Sequence, residues 1–124
     1  MDMNTVFVYG TLKRGQSRNN VMMGGEYLGK GKTDNMFALV DLGPFPALCY
    51  GHGPARGEVY NVSDDTLRRL DIIEGVPHLY ERDKINITLE SGETISCWTY
   101  LKMDVDNTYT IQEWNGPSKQ EWYC

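Results

Sequence analysis

A small α+β domain built on a largely antiparallel sheet or barrel is the fold class this sequence predicts. Three observations point there. About six short runs of β-branched and aromatic residues are separated by turn signals. One helix start is well marked, at Ser63. The chain of 124 residues is 40% hydrophobic and 23% charged, ordinary usage for one globular domain and too little chain for two independent cores.

The run Thr5-Val6-Phe7-Val8-Tyr9 reads as a buried strand that Gly10 breaks into a turn. Lys13 to Ser17 is polar, and Asn19 to Met23 has room for one short helical turn before Gly24-Gly25 ends it. Glu26 to Thr33 and Met36 to Leu42 read as strands, and the intervening Asp34-Asn35 predicts that the two form a hairpin. Gly43-Pro44-Phe45-Pro46 predicts an irregular loop, since each proline fixes φ and removes a donor. Arg56 to Val62 predicts an alternating strand with Val59 and Gly57 on one face. A helix follows, with Ser63 as N-cap, Asp64 and Asp65 at the positive end of its dipole, Val62 stapled to Leu67, and Gly75 closing it. Beyond Pro77, Lys84 to Leu89 and Thr94 to Leu101 alternate with period two about Ser91-Gly92 and predict a hairpin. The domain is expected to span 1–124, with a core of about 5–103 and a polar tail over 104–124. Trp114, Trp122 and Tyr123 predict that part of this tail packs back on the body.

Charge and composition exclude several functions. Seventeen acidic against twelve basic residues give a net charge of −5, which repels nucleic acid. No apolar run approaches the roughly 20 residues that span a bilayer, and MDMNTVFVYG lacks the parts of an export signal, so no membrane association is expected. Cys49, Cys97 and Cys124 are odd in number and form no CxxC pair, which suits a reducing cytoplasm better than a disulfide framework. His52 and His78 are too few and too far apart for a metal site, so neither metal nor cofactor is expected. The chain is expected to act as a monomer.

The helix carries one residue that does not suit a core. Leu67, Leu70 and Glu74 stand at i, i+3 and i+7, so the carboxylate points where the leucines point. Burial and the negative end of the helix dipole both raise its pKa, and a raised carboxylate pKa serves a group that must accept and then return a proton at neutral pH. The structural alternative is that Glu74 frays outward or pairs with Arg82. A second constellation is Tyr9-Gly10-Thr11-Leu12, a strand end whose backbone amides are laid open for a carboxylate or oxyanion, with Lys13 and Arg14 adding positive charge nearby. Its plain alternative is a simple strand connection, and it lacks the Gly-Lys-Ser/Thr ending of a phosphate loop.

Weaker candidates are set aside on chemistry. Cys49 and His52 are near only in sequence and lack an orienting third group. His78 reads as a loop residue, and Asp64-Asp65 as helix capping. Tyr80, Tyr100 and Trp98 either line a pocket or fill the core.

Taken together, Val6 to Gly15 (VFVYGTLKRG), Gly43 to Leu48, Gly57 to Tyr60, and Leu70 to Glu74 followed by Tyr80 and Arg82 resemble the gamma-glutamylcyclotransferase-like family over roughly residues 6 to 101, with its gamma-glutamylamine cyclotransferase branch the most similar. The resemblance implies a small mixed, largely antiparallel β-barrel with one main helix and a few short peripheral helices. Its cavity would lie between the first strand's loop and the helix that bears the glutamate. It implies that Tyr9, Gly10, Thr11 and Leu12 bind substrate and that Glu74 is the catalytic acid/base; Tyr80, Tyr100 and Pro46 are the candidates to line the pocket. The implied reaction has the α-amine of a γ-glutamyl group attack its own side-chain carbonyl, giving 5-oxoproline and a free amine such as lysine, with neither cofactor nor enzyme nucleophile. Larger glutathione-degrading relatives carry a Tyr-Gly-Ser opening, whereas this chain has Tyr-Gly-Thr and a short body, which favours a γ-glutamylamine. Two other readings stay open: a non-catalytic barrel that binds a small acid or a protein in the retained pocket, and a γ-glutamyl-removing enzyme of a specialised pathway.

Overall fold

The computed structural model describes residues 3–117. In chain order the strands are β1 (Met3–Val8), β2 (Glu26–Lys32), β3 (Phe37–Asp41), β4 (Pro46–Tyr50), β5 (Arg56–Ser63), β6 (Glu81–Leu89) and β7 (Thr94–Leu101). Helix α1 (Asp64–Ile73) follows β5 directly, and a single 3-10 turn covers Asn19–Met22 where a short helical turn is predicted. The sheet order is β1-β5-β2-β6-β7-β4-β3, and parallel pairing of β1 with β7 at Val6 and Trp98 closes five strands into a mixed barrel. Side chains reinforce this narrow seam: the hydroxyl of Thr99 donates to the carbonyl of Phe7 at 3.0 Å, and that of Thr5 to the carbonyl of Ser96 at 2.8 Å. No helix among the described residues is long and apolar enough to cross a membrane.

Strand alternation divides the apolar residues between two cores. Phe7 and Tyr9 join Val59, Ile85, Ile87 and Cys97 inside the barrel, while Val6 and Val8 join Tyr60, Val62, Met22 and the leucines of α1 outside it. Strand β5 is covered on both faces. Gly57, Glu58, Val59 and Tyr60 are all buried, because β5 lies between β1 and β2 with the barrel core on one face and the helix layer on the other.

The hairpin expected between Glu26–Thr33 and Met36–Leu42 does not form. The Asp34 turn exists, its carboxylate accepting from the N–H of Met36 at 2.8 Å, but β2 pairs with β5 and β6, and Thr33 bonds Ala55 instead. The partner of β3 is β4, reached across Gly43-Pro44-Phe45. Here the N–H of Leu42 donates to Phe45 O at 3.0 Å and the N–H of Gly43 to Asp41 Oδ1 at 2.9 Å. Pro46 opens β4, a position where its missing donor is tolerated. The β6–β7 hairpin forms as predicted, with Thr88 opposite Thr94, and β6 begins earlier than expected, at Glu81.

Local chemistry sets both ends of α1. The Ser63 hydroxyl accepts from the N–H of Thr66 at 3.2 Å, and Val62 and Leu67 share the outer core. At the other end Gly75, at φ +66°, donates to Ile72 O at 3.1 Å while Val76 donates to Asp71 O at 3.0 Å, a Schellman closure that leaves Glu74 as the C-cap residue. Replacing Ser63 by Ala is expected to cost about 0.5–2 kcal/mol. Urea denaturation checks it, the midpoint falling with an unchanged slope.

The tail returns to the body where Trp114 is buried in the barrel core. Ile111 bridges to Leu39, the carbonyl of Gln112 accepts from the N–H of Arg56 at 2.7 Å, and Trp114 Nε1 donates to Asp41 Oδ1 at 3.2 Å. The expected packing of Trp122 and Tyr123, like Cys124, lies outside the described residues.

Candidate active site

Strand β1 ends at Val8, and the chain turns at once, the N–H of Lys13 donating to Gly10 O at 3.0 Å. The turn passes close to the start of β4. A Cβ on Gly10 would stand 2.6 Å from Cδ of Pro46 and 2.8 Å from its Cγ, so the close approach requires glycine. Among the described residues, the N–H groups of Gly10, Thr11 and Leu12 donate to no protein acceptor. These residues line a cavity of about 160 Å³ whose other walls include Pro46, Tyr80, Tyr100 and Glu74. The residues expected to bind, to line and to catalyse thus surround one space.

Glu74 enters the cavity because the helix stripe places it there. Leu67 and Leu70 are buried beneath α1, its backbone N–H still bonds Leu70 O at 2.9 Å, and its side chain is half-buried. Burial pushes its pKa up from 4.5 to about 7, and the Arg18 guanidinium opposes the rise. Among the described residues no donor bonds its carboxylate and no cation pairs with it. The alternative of a pair with Arg82 is excluded. Arg82 Nη1 lies 3.1 Å from Asp71 Oδ2, and its guanidinium stacks 4.5 Å from the centre of the Trp98 ring.

Three tyrosines brace the site. Tyr9 donates its hydroxyl to Tyr100 O at 2.6 Å, Tyr80 to Pro46 O at 3.1 Å, and Tyr100 to Asp71 Oδ1 at 2.9 Å. Burial raises the pKa of all three, with the Glu74 charge adding to it at Tyr9 and Tyr80, so each hydroxyl is a fixed donor and none a base at neutral pH. Trp98, read as either pocket or core, packs with the outer core and is not among the cavity-lining residues.

Two sequence expectations about charge are corrected. Lys13 does not face the cavity: it is buried, and its Nζ donates to Trp114 O at 2.6 Å. Arg14 lies over the Tyr27 ring at 4.6 Å, its N–H bonded to Glu58 Oε1 at 2.8 Å. The cation at the cavity is Arg18, which the turn folds back until its N–H donates to Thr11 O at 2.8 Å. Periodicity gave no signal for it. Phe45, Ile73 and Leu79 also line the space.

Among the described residues neither thiol nor imidazole competes for the chemistry. Burial raises the pKa of Cys49 and pushes that of Cys97 up to about 11, leaving both as thiols at neutral pH. Cys49 Sγ points to Ala38 O at 3.8 Å, while His52 and His78 are exposed away from the cavity. Among the described residues no group of three or more His, Cys, Asp and Glu side chains is arranged to hold a metal.

Comparison with known proteins adds independent information. The family model described as Gamma-glutamyl cyclotransferase, AIG2-like matches residues 6–123. A Vibrio cholerae protein assigned provisionally as a gamma-glutamylcyclotransferase is 38% identical over 106 residues, covering 86% of this chain and 88% of that one. A gamma-glutamylaminecyclotransferase of Rattus norvegicus is 33% identical over 112 residues, covering 77% and 75%. The crystal structure of an AIG2-like protein from Mus musculus superposes with a TM-score of 0.82 at 31% identity, covering 93% of this chain and 90% of that one.

Proposed function

Since this chain belongs to the Gamma-glutamyl cyclotransferase, AIG2-like family and is an enzyme of the cyclotransferase type, we propose that its reaction converts a γ-glutamyl amine into 5-oxoproline and the free amine, with Glu74 as acid/base and the turn Tyr9–Leu12 as substrate cradle. The observation that carries this reading is the pairing, across one small cavity, of a carboxylate with a pKa of about 7 and three backbone N–H groups without protein acceptors.

The chemistry needs little else. The α-amine attacks the γ-carbonyl carbon of its own chain, a C–N bond forms to close the five-membered ring, and the C–N bond to the leaving amine breaks. Holding the substrate folded supplies the high effective concentration of an oriented intramolecular attack. Ionised Glu74 takes one proton from the α-ammonium, which frees the lone pair that attacks, and, then neutral, returns it to the departing nitrogen. The second proton shed by the ring nitrogen also passes to the released amine, which leaves as an ammonium, so the protons balance. The amides of Gly10 to Leu12 hold the α-carboxylate or the oxygen on which negative charge develops. Tyr80 and Tyr100 are positioning residues, their hydroxyls tied to Pro46 and Asp71.

The test is incubation of the purified protein with a panel of γ-glutamyl amines, γ-glutamyl-lysine among them, while 5-oxoproline and released amine are quantified. Equimolar release of both is expected. Saturable binding across the panel with no 5-oxoproline formed would instead identify a non-catalytic binding barrel.

A further inference from the structure

At about 160 Å³ the cavity is well below the roughly 300–1,000 Å³ of pockets that engulf drug-sized ligands. On the reading above, a γ-glutamyl group occupies this space and the amine portion projects toward its open edge. Its deep wall is formed by buried Gly10 and Leu12 and half-buried Glu74, and its solvent edge by Arg18, Phe45 and Leu79, the last two 41% and 62% exposed. Arg18 and Glu74 are the charged residues among those that line it.

Arg18 is built into this edge. Its N–H donates to Thr11 O at 2.8 Å and its carbonyl accepts from the N–H of Val21 at 3.0 Å, so the cation rides on the turn that carries the open amides. Among the described residues its guanidinium has neither an ion-pair partner nor a hydrogen-bond acceptor, whereas Arg82 is held by Asp71 and Lys13 by Trp114. A free guanidinium engages a carboxylate through two parallel N–H bonds, gains nothing from a neutral amine and repels a cationic one. The exposed rings and methyls of Phe45 and Leu79 offer apolar contact on the same edge.

We infer that Arg18 is a specificity-determining residue that binds a carboxylate carried by the leaving amine, so that γ-glutamyl derivatives of apolar amino acids are preferred over those of simple or cationic amines. This rests on the γ-glutamyl reading above. The lysine leaving group that the family resemblance suggests also offers Arg18 a carboxylate, but it brings a second, repelled ammonium with it.

Two substrates that differ by a single carboxylate decide it: γ-glutamyl-leucine and γ-glutamyl-isopentylamine. The parent enzyme is expected to favour the first in kcat/KM by about 10- to 100-fold, the range of one charged hydrogen-bonded contact. In Arg18→Gln the ratio is expected to fall to near unity, and in Arg18→Lys to recover in part, with urea midpoints confirming that both variants are folded. The acidic limb of the pH profile should move upward in Arg18→Gln, since the lost cation lowers the Glu74 pKa. A ratio that persists in Arg18→Gln, both substrates losing activity together, would show Arg18 acting on the shared γ-glutamyl group and overturn the assignment alone. Absence of preference in the parent would also overturn it. Absence of 5-oxoproline from either substrate would overturn the function itself and this inference with it.

Discussion

Glu74→Gln is expected to lower kcat by about 100- to 10,000-fold, the usual contribution of a positioned acid/base. Gln keeps the length and shape of the side chain, so the cavity and its loop are retained and the loss reports proton transfer. In the parent, kcat/KM should rise with pH and level off above about 7, because only the ionised form of Glu74 can accept the proton and its folded-state pKa is about 7. The residual activity of the variant should lack this limb. Stability should move the other way. Burial raises the folded-state pKa of Glu74 above its ordinary 4.5, so its favourable contribution is complete below about pH 4.5 and is lost as pH rises through about 7. The Gln variant escapes that loss and should match the parent near pH 4 and exceed it at pH 8 by at most ~3 kcal/mol. Urea unfolding at the two pH values measures it. A variant with near-parent kcat would remove Glu74 from the mechanism.

The second large effect is expected at Trp114. Truncation to Ala should destabilise the fold by about 3–5 kcal/mol, the cost of emptying a large, fully enclosed aromatic site. Trp114 is 1% exposed, shares the barrel core with Phe7 and Leu39, and anchors the tail through Asp41. Its carbonyl also receives Lys13, the residue that follows the turn Tyr9–Leu12, the proposed substrate cradle. Thermal and urea unfolding measure the stability loss. Steady-state kinetics below the new midpoint should show a raised KM, with the pH limb still near 7 because Glu74 lies on a different wall. A loss below about 1 kcal/mol would mean that the tail is dispensable to the core.

What could be read from the chain beforehand divides by range of interaction. The helix was legible because Ser63, the Val62–Leu67 staple and Gly75 act within a few residues of one another, and the inward Glu74 followed from the same spacing. The β6–β7 hairpin was legible because alternation runs unbroken to Ser91-Gly92 and resumes after it. The β2–β3 pairing was misread for the complementary reason. Asp34 does make its turn, yet β2 is claimed by β5, some 25 residues on and unmarked by any local signal. The seam between β1 and β7, which joins residues 92 apart at Val6 and Trp98, is equally silent in one dimension. At the site, nearness in sequence misled. Lys13 and Arg14 adjoin the substrate turn but are drawn off by Trp114 and Glu58, while Arg18 is carried in by two successive turns.

The tyrosine bracing has a consequence for how such an enzyme diversifies. Tyr9, Tyr100 and Asp71 tie β1, β7 and α1 together, so the wall proposed to perform the reaction also holds the barrel in shape. Phe45 and Leu79 have no comparable duty, lying partly exposed on loops between elements. Exposed loop positions of this kind usually tolerate replacement within about 0.5 kcal/mol. On the proposed reaction, one departing amine can therefore be traded for another by single changes at the edge, while the wall assigned to ring closure behind it is left intact.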